Sequence, residues 1–361
     1  MTQPPARAGI YNSRQPARCV AAVPGAGAGR HRFMIGTCAL QQKNALHLVE
    51  FMEESSEVLC RQTLPHDDEV WLLAVSPTDG RNVLTYSAGG SQPTLRLWRT
   101  GDQESPEPSL QLTTSLADDE APFEGVAKSL HWDPHNEGTV VAADSEHLHV
   151  FQGGGARFTR SLTCSVGQRC NGACVDPHHA QQVSTVDDMH LKTWDLRTSG
   201  KPAFAKDGVH LFGAHDVDYN PNVPYQVMTT GEDAVIRFWD LRHLSACKQA
   251  LSGGHHHWIS RARYNSHHDQ LVLSCGTDSA VCLWRASSVA SKPLGGESLA
   301  EEASDNSQPL DTLLKRFEDY EDSCYSCCWS AADAWVFAAV SFDGKLVVNR
   351  VPGEEKYRIL L

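Results

Sequence analysis

The sequence lacks the features that mark several classes of protein. No apolar run approaches the ~20 residues that a membrane helix needs, and the opening residues MTQPPARAGI lack the apolar core of a secretory signal. No block of basic residues occurs, and 31 Lys and Arg against 44 Asp and Glu give a formal net charge of −13. Such an acidic chain repels phosphate backbones. We therefore expect a soluble, cytoplasmic, monomeric protein that neither inserts into membranes nor binds nucleic acid.

Motifs for catalysis and cofactor binding are also missing. The Gly-rich run GAGAGR (25–30) has no following Lys-Ser/Thr and no helix after it, which leaves an inter-strand loop. The three histidines of GGHHHW (253–258) alternate faces if they lie on a strand, and CYSCCW (324–329) has no second CxxC to complete a zinc site. We predict no enzyme activity, no cofactor and no metal, and we interpret the 12 cysteines as reduced, mostly buried thiols.

What the sequence does contain is a repeat. LKTWDLR (191–197) and IRFWDLR (236–242) are near copies, and VCLW continues the series, so that Trp194, Trp239 and Trp284 follow one another at intervals of 45 residues. Each motif alternates apolar and polar residues, the period of a half-buried strand. Two further strand-like series precede it in each unit, one of which ends in a turn that often contains proline.

A period of about 45 residues with several strands and a terminal Trp-Asp is typical of WD repeats, with four strands in each propeller blade. We count seven units, and we predict an all-β, seven-bladed WD40 β-propeller that forms a single domain over 1–361. The predicted blade cores are approximately 8–52, 66–99, 124–152, 168–197, 210–242, 255–286 and 320–351.

WD repeats also carry a hydrogen-bonded tetrad of His, Ser or Thr, Asp and Trp, because a buried indole N–H and a buried imidazole need partners. The spacing predicts two complete structural tetrads and one partial one. They are His210, Thr229, Asp233 and Trp239; His255, Ser274, Asp278 and Trp284; and Ser184, Asp188 and Trp194.

Closure of the ring has two solutions in the sequence. The terminal KYRILL, within a predicted closing strand 355–361, can form the outer strand of the seventh blade, with GIYNSRQPARCVAAV (9–23) as the first strand of blade one. Alternatively, the N-terminal strand completes the last blade. The segment 287–311 interrupts the period and is rich in Ser, Gly and acidic residues, so we expect a flexible acidic surface insert.

The arginines of the two WDLR motifs leave a functional alternative open. Arg197 and Arg242 follow two residues after Asp195 and Asp240, at the predicted rim of the propeller. WD-x-R resembles the motif by which some propellers dock on the adaptor of cullin-type ubiquitin ligases, and an arginine there can make bidentate contacts with a partner. In the other interpretation, each arginine caps its own turn or pairs with a neighbouring blade.

The last third of the chain resembles one particular family. HHHWISRARYNSHHDQLVLSCGTDSAVCLW (255–284), SFDGKLVVNRVP (341–352) and the terminal KYRILL are similar to the EARP and GARP complex-interacting protein family, also called tumour-suppressing subtransferable candidate proteins. FMIGTCALQQKNALHLVEF (33–51) and EVWLLAVSP (69–77) resemble its first two blades. Segment 116–195 matches more loosely, by register rather than by motif.

The resemblance implies a non-enzymatic scaffold peripheral to endosomes and the trans-Golgi network. It would bind the tethering complexes EARP and GARP, and it would support endocytic recycling of cargo to the plasma membrane and dense-core vesicle cargo sorting. The alternative function is a substrate receptor of a cullin-RING ubiquitin ligase that docks through Arg197 or Arg242. An enzyme or a metal-bound propeller is the third hypothesis.

Overall fold

The structure of the protein is a computed structural model. It describes residues 8–88, 93–102, 108–116, 123, 125–154, 157–167, 169–198, 201–293 and 310–361. No helix among these residues is long and apolar enough to cross a membrane.

The described residues form 28 strands, one short 3₁₀ helix (Ser287–Val289) and one α-helix. The strands of the first half of the chain are β1 (Gly9–Asn12), β2 (Ala17–Val23), β3 (Arg30–Thr37), β4 (Asn44–Met52), β5 (Glu57–His66), β6 (Val70–Val75), β7 (Asn82–Ser87), β8 (Thr94–Thr100), β9 (Leu110–Ser115), β10 (Ser129–Trp132), β11 (Thr139–Ala143), β12 (His147–Gly154) and β13 (Arg157–Ser165). Those of the second half are β14 (Cys170–Val175), β15 (Gln182–Asp187), β16 (His190–Asp195), β17 (Phe204–Asp207), β18 (Ala214–Tyr219), β19 (Gln226–Gly231), β20 (Ile236–Asp240), β21 (Gln249–Leu251), β22 (Ile259–Tyr264), β23 (Leu271–Gly276), β24 (Val281–Ala286), β25 (Asp311–Phe317), β26 (Cys324–Trp329), β27 (Val336–Ser341) and β28 (Lys345–Arg350), followed by α1 (Gly353–Leu360).

Seven four-stranded antiparallel sheets are built from these strands. Six of them use four consecutive strands, beginning with β2 for blade one and with β6, β10, β14, β18 and β22 for blades two to six. The first strands of neighbouring blades contact one another around the whole ring, and the contact of β2 with β26 closes it. This arrangement confirms the predicted all-β, seven-bladed propeller.

The N-terminal strand closes the ring. β1 pairs antiparallel with β28, from Gly9 opposite Val348 to Asn12 opposite Lys345, so β1 is the outer strand of blade seven. The predicted core 8–52 of blade one is therefore wrong at its start, because blade one runs from β2 to β5. Core residues of blades one and seven, such as Phe33 and Val348, pack in one cluster across this closure.

The predicted closing strand 355–361 is also wrong, because these residues fall in the helix α1 and the single residue after it. The edge of β28 is already occupied by β1, so no sheet position is left for a C-terminal strand. Glu354 and Glu355 in the first turn and Arg358 in the last turn suit the helix dipole. Glu355 is buried and forms an ion pair of 2.9 Å with Arg285 of blade six, which fixes the helix on the ring.

The alternating strand directions give the ring two different faces. One face carries the start of each first strand and the turn between second and third strands, and we call it the tetrad face. The other carries the turns after the first strands, including Pro77, Pro134, Pro177 and Pro221, and we call it the proline face. The predicted acidic insert 287–311 follows β24, which ends on the proline face, and its residues 294–309 lie outside the described residues.

Candidate interaction site

The predicted residues of blade five meet in one hydrogen-bonded group on the tetrad face. His210 Nδ1 lies 2.8 Å from Asp233 Oδ1, and its Nε2 lies 2.9 Å from Thr229 Oγ1. The Trp239 indole donates to the same hydroxyl over 3.0 Å. Arg237 adds an ion pair of 2.6 Å to the second carboxylate oxygen. The polar atoms of this tetrad are therefore used within the blade.

Blade six repeats this arrangement. His255 Nδ1 lies 2.9 Å from Asp278 Oδ1 and its Nε2 lies 2.8 Å from Ser274 Oγ. The Trp284 indole donates to Ser274 over 2.8 Å, and Arg316 pairs with Asp278 Oδ2 at 2.9 Å. The two blades thus place the same kinds of side chain at corresponding positions. The additional arginine comes from the third strand in blade five and from the fourth strand in blade six.

Charge is well compensated in both tetrads. Burial opposes the ionised form of Asp233 and Asp278, but the hydrogen bonds that each accepts from its histidine, its arginine and a backbone N–H together outweigh it and hold the pKa of each carboxyl well below its usual range. Both carboxylates are therefore ionised at neutral pH and engaged by their partners. This chemistry favours a scaffold rather than a reactive centre.

In blade four, two of the three predicted tetrad residues are wrong. The Trp194 indole donates to Thr185 Oγ1 over 2.9 Å, whereas Ser184 bonds Thr193 and Tyr219 at 2.7 and 2.6 Å. Asp188 is 47% exposed and lies 3.7 Å from the Arg169 side chain. Thr185 precedes Trp194 by nine residues, whereas Thr229 precedes Trp239 by ten, so the spacing of blade five selects Ser184 instead of Thr185. A shift of one residue in a strand moves a side chain to the opposite face.

Blade two contains a related group that the sequence analysis missed. His66 Nε2 lies 3.2 Å from Thr85 Oγ1, and the Trp98 indole donates to the same hydroxyl over 2.8 Å. A signal was present, because His66 precedes Thr85 by 19 residues, as in blades five and six. The separation of Thr85 from Trp98 is 13 residues rather than 10, and this longer turn hid the match.

The WD-x-R arginines fold back on their own aspartates. Arg197 Nε and Nη2 lie 2.9 and 2.7 Å from the two oxygens of Asp195, and Arg242 makes the same pair with Asp240 at 3.0 and 2.9 Å. The hydrogen bond from Arg242 lowers the pKa of Asp240 to about 2. Both arginine side chains remain more than half exposed, at 63% and 52%, on the proline face. Each therefore caps its own turn, with part of the guanidinium facing solvent.

The mouth of the central channel on the tetrad face is formed by a second repeated feature. Six of the seven first strands shift register near their start, and each shift leaves one bulged residue. A bulge re-aims the side chain that it carries. The six bulged residues all line one cavity of about 310 Å³ and are Arg18, Trp71, Asn171, His215, Ser260 and Tyr325.

Lys128, one residue before β10, supplies the corresponding position of blade three in the same cavity. Arg18 is held between two aromatic rings, with its Cζ 4.6 Å from the Trp71 centroid and 4.7 Å from the Tyr325 centroid. Cation–π contacts of this kind orient a guanidinium without neutralising its charge. One side chain from each blade therefore faces the mouth, and two of the seven are cations.

Deeper in the channel, carboxylates of blade five reach the first strand of blade six. Asp216 accepts the backbone N–H of Ala262 at 3.1 Å and pairs with Arg263, and Asp218 accepts that of Tyr264 at 2.9 Å. Burial raises the pKa of Asp218 to about 6, with the Arg263 guanidinium opposing the shift. These contacts link adjacent inner strands and hold the channel wall together.

The raised pKa of Asp218 predicts a pH-dependent contribution to stability. Between the usual pKa near 4 and the folded value of about 6, the folded chain retains a proton that the unfolded chain releases. That contribution is present below about pH 4 and lost as the pH rises through 6. The side chain of the Asp218→Asn variant cannot ionise, so the variant does not lose this contribution. We therefore expect the unfolding free energy of the variant, relative to that of the wild type, to increase by on the order of 2 kcal/mol as the pH rises across this window.

Urea denaturation of both proteins across this pH range measures the difference. The comparison between proteins is needed because burial lowers the pKa of His131 to about 4, which makes stability rise with pH in a similar window and masks the effect in either protein alone. The exposed Asp207 provides the control, and Asp207→Asn is expected to show no such trend. A difference for Asp218→Asn that stays constant with pH would contradict the assignment.

Large apolar side chains are exposed around this mouth and elsewhere on the tetrad face. Half of the 14 exposed large hydrophobic residues described lie in its loops. They are Leu40, Val126, Met189, Leu211, Phe212, Trp258 and Phe342. The others lie on or directly before an outer strand, or in α1 and the residue after it. An exposed apolar area with a polar surround is typical of a protein-binding surface.

One group of side chains has the spacing of metal ligands. Ligand atoms of Asp144, His147 and His149, in blade three, lie within 4.8 Å of one another. Asp144 already accepts the backbone N–H groups of Glu146 and His147 with Oδ1 and pairs with His149 through Oδ2 at 2.9 Å. These contacts describe a turn stabilised by its aspartate, and they account for the position of the carboxylate.

Comparison with known proteins agrees with this architecture. Residues 6–284 match a protein-family model described as EIPR1 beta-propeller, and residues 311–348 match the WD domain, G-beta repeat. An EARP-interacting protein homolog from Danio rerio is 35% identical over an alignment that covers 91% of this chain and 93% of that protein.

Two further relatives show comparable similarity. The EARP and GARP complex-interacting protein 1 of Homo sapiens is 32% identical over 91% of this chain and 93% of its own length. The WD repeat-containing protein DWA2 of Arabidopsis thaliana is 31% identical over 94% and 95% of the two chains. These matches confirm the resemblance predicted from residues 255–284 and 341–352. The chain belongs to the EARP and GARP complex-interacting protein family of WD-repeat β-propellers.

Proposed function

We propose that this protein is a non-enzymatic scaffold that binds the tethering complexes EARP and GARP through its tetrad face. It acts as a cytoplasmic monomer at endosomes and the trans-Golgi network. There it supports endocytic recycling of cargo to the plasma membrane and dense-core vesicle cargo sorting. The observation that carries the proposal is family membership over 91% of the chain, since the Homo sapiens relative is named for interaction with both complexes.

The distribution of apolar side chains supports the choice of face. Leu211 and Phe212 are 72% and 61% exposed in the loop before β18, and Trp258 is 42% exposed in the loop before β22. Their loops are anchored from behind by the tetrads, because the N–H of Leu211 donates to Asp233 and that of His256 to Asp278. A rigid support beneath exposed aromatic and aliphatic side chains suits a protein interface.

The alternative function, a substrate receptor of a cullin-RING ubiquitin ligase, is favoured by one observation. Arg197 and Arg242 are both more than half exposed at corresponding positions of neighbouring blades. Against it, both oxygens of each paired aspartate already accept hydrogen bonds from the arginine. We propose that these pairs are turn caps and that the proline face is not the principal docking face.

Affinity capture from cells, scored by mass spectrometry, tests the proposal against its alternative. Wild type is compared with the double variant Arg197→Ala/Arg242→Ala. We expect EARP and GARP subunits to be recovered equally with both proteins, because the tetrad face is unchanged. Recovery of a ligase adaptor with wild type and its loss with the double variant would support the alternative. Absence of tether subunits from both captures would overturn the proposed function.

A further inference from the structure

We propose that the mouth of the channel on the tetrad face binds an acidic segment of a protein partner, with an apolar side chain of the segment against the aromatic rim. The cationic side chains that would engage its carboxylates are Arg18, Lys128 and Arg261, all of which line the mouth. The inference rests on the proposed function only in using the same face, and it concerns the chemistry of this mouth rather than the identity of the partner.

The charge of the channel is opposite to that of the protein. Along its two mouths, the charged residues described are Arg18, Lys128, Arg261 and Arg263 against Asp216 and Asp218. The lining residues thus carry four cations and two carboxylates, whereas the whole chain has a formal net charge of −13. Glu69 and Glu232, which contact the lining residues Trp71 and His215 at 3.0 and 3.7 Å, reduce this local excess of positive charge. A concave site with one sign of charge concentrates field lines and attracts ligands of the opposite sign.

The three cations at the mouth are not engaged by carboxylates of the chain. Among the described residues, no ion pair within 4.0 Å involves Arg18, Lys128 or Arg261. Arg261 has a weak contact of 3.4 Å with the Ser326 hydroxyl, and Arg18 is stacked on Trp71 and Tyr325. By contrast, Arg263 deeper in the channel pairs with Asp216. The mouth therefore presents fixed positive charge that is available to a ligand.

The size and surroundings of the mouth favour a polypeptide segment. A volume of about 310 Å³ is enough for a few side chains and too small for a folded domain. Trp71, Val126, Trp258 and Tyr325 add apolar and aromatic surface at the same place. The acidic remainder of the protein opposes the long phosphate backbone of a nucleic acid. A segment of a partner protein that carries both carboxylates and an apolar side chain matches all of these features.

Fluorescence polarisation with the full-length protein tests the inference directly. The probe is a fluorescein-labelled peptide in which pairs of glutamates alternate with leucine or phenylalanine. We expect saturable binding that weakens with added salt, since surface charges are screened. The double variant Arg18→Glu/Lys128→Glu should weaken it by at least about tenfold, because two attractions become repulsions.

The matched control is Arg197→Glu/Arg242→Glu, which changes the net charge by the same amount on the proline face. It should bind the peptide like wild type. Because Arg18 packs on two rings, Lys128→Glu alone serves as a second variant, and thermal unfolding checks that each protein is folded. The inference would be overturned if the Lys128→Glu variant bound the peptide as tightly as wild type does. It would also be overturned if the two double variants bound the peptide equally, or if wild type did not bind it.

A competition arm distinguishes a peptide from a small polyanion. We expect inositol hexakisphosphate to compete weakly, because it has no apolar anchor, and stronger binding of it than of the peptide would overturn the inference. Failure of the proposed function is recognised separately. Tether subunits captured by a protein that does not bind the peptide would leave the proposed function standing, and peptide binding without tether capture would leave the inference standing.

Discussion

Replacing Trp284 by alanine is expected to lower the free energy of unfolding by about 3 to 5 kcal/mol, a range typical of deletion of a buried tryptophan. Trp284 is 1% exposed and packs in one core cluster with Ile259 of its own blade and Phe238 of blade five. Its loss leaves a cavity and removes the indole that donates to Ser274 over 2.8 Å. Chemical denaturation followed by circular dichroism measures the change.

Trp258 provides a matched control for this prediction. It is 42% exposed and contributes its ring to no core cluster among the described residues. Trp258→Ala is expected to cost less than about 1 kcal/mol, as for surface substitutions generally. Similar losses for the two variants would mean that the repeated tryptophan of the WD unit is not an internal anchor of the blade.

The double variant Leu211→Asp/Phe212→Asp is expected to reduce the recovery of EARP and GARP subunits in affinity capture by at least about tenfold. Two carboxylates would then face the apolar surface of the partner. Truncation of a side chain at the centre of an interface commonly costs about 2 kcal/mol or more of binding free energy. Folding should be little affected, because both side chains are mostly exposed and only the backbone of Leu211 contacts Asp233. Quantitative mass spectrometry of the captured complexes gives the ratio.

Leu59→Asp/Leu112→Asp is the matched control for that experiment. These two leucines are 41% and 52% exposed, but they lie on the outer strands β5 and β9 rather than on the tetrad face. We expect recovery of the tether subunits close to that of wild type. Loss of recovery with this control and not with the Leu211 and Phe212 variant would place the interface on the rim of the propeller.

The fold could be predicted from the sequence because the blade repeats its own chemistry. Trp194, Trp239 and Trp284 recur at a constant interval since each anchors the third strand of a blade against the same kind of hydroxyl. The prediction of the other tetrad members failed where the separation of the hydroxyl from the tryptophan differs from ten residues, as for Thr185 in blade four and Thr85 in blade two. The longer turn of blade two hid His66 and Thr85.

Closure of the ring could not be decided from local sequence. A short apolar end such as KYRILL is compatible with a strand or with a helix, and the choice depends on whether the edge of β28 is free. That edge is taken by β1, which is more than 330 residues away in sequence. Such a pairing is a property of the assembled ring, and no periodicity within the last blade reports it.

The candidate site was harder to predict than the fold. The mouth is lined by bulged residues of different types, such as Arg18, Asn171 and Tyr325, so no residue type repeats at these positions. A bulge depends on strand pairing and changes which way a side chain points. The same effect puts Cys324 and Cys327 in one core cluster, although simple alternation predicts opposite faces for them.

Cross-linking mass spectrometry of the purified chain bound to purified EARP tests the central claim most directly. With a lysine-reactive reagent, we expect cross-links from Lys43 and Lys128, which lie on the tetrad face. We expect few from Lys248 and Lys356, which lie on the proline face. The four lysines can differ in accessibility before any partner binds. Their reaction with the same reagent in the free chain is therefore measured first, and the cross-link yields are divided by it. Cross-links concentrated at Lys248 and Lys356, or no complex at all, would contradict docking of the tether on the tetrad face.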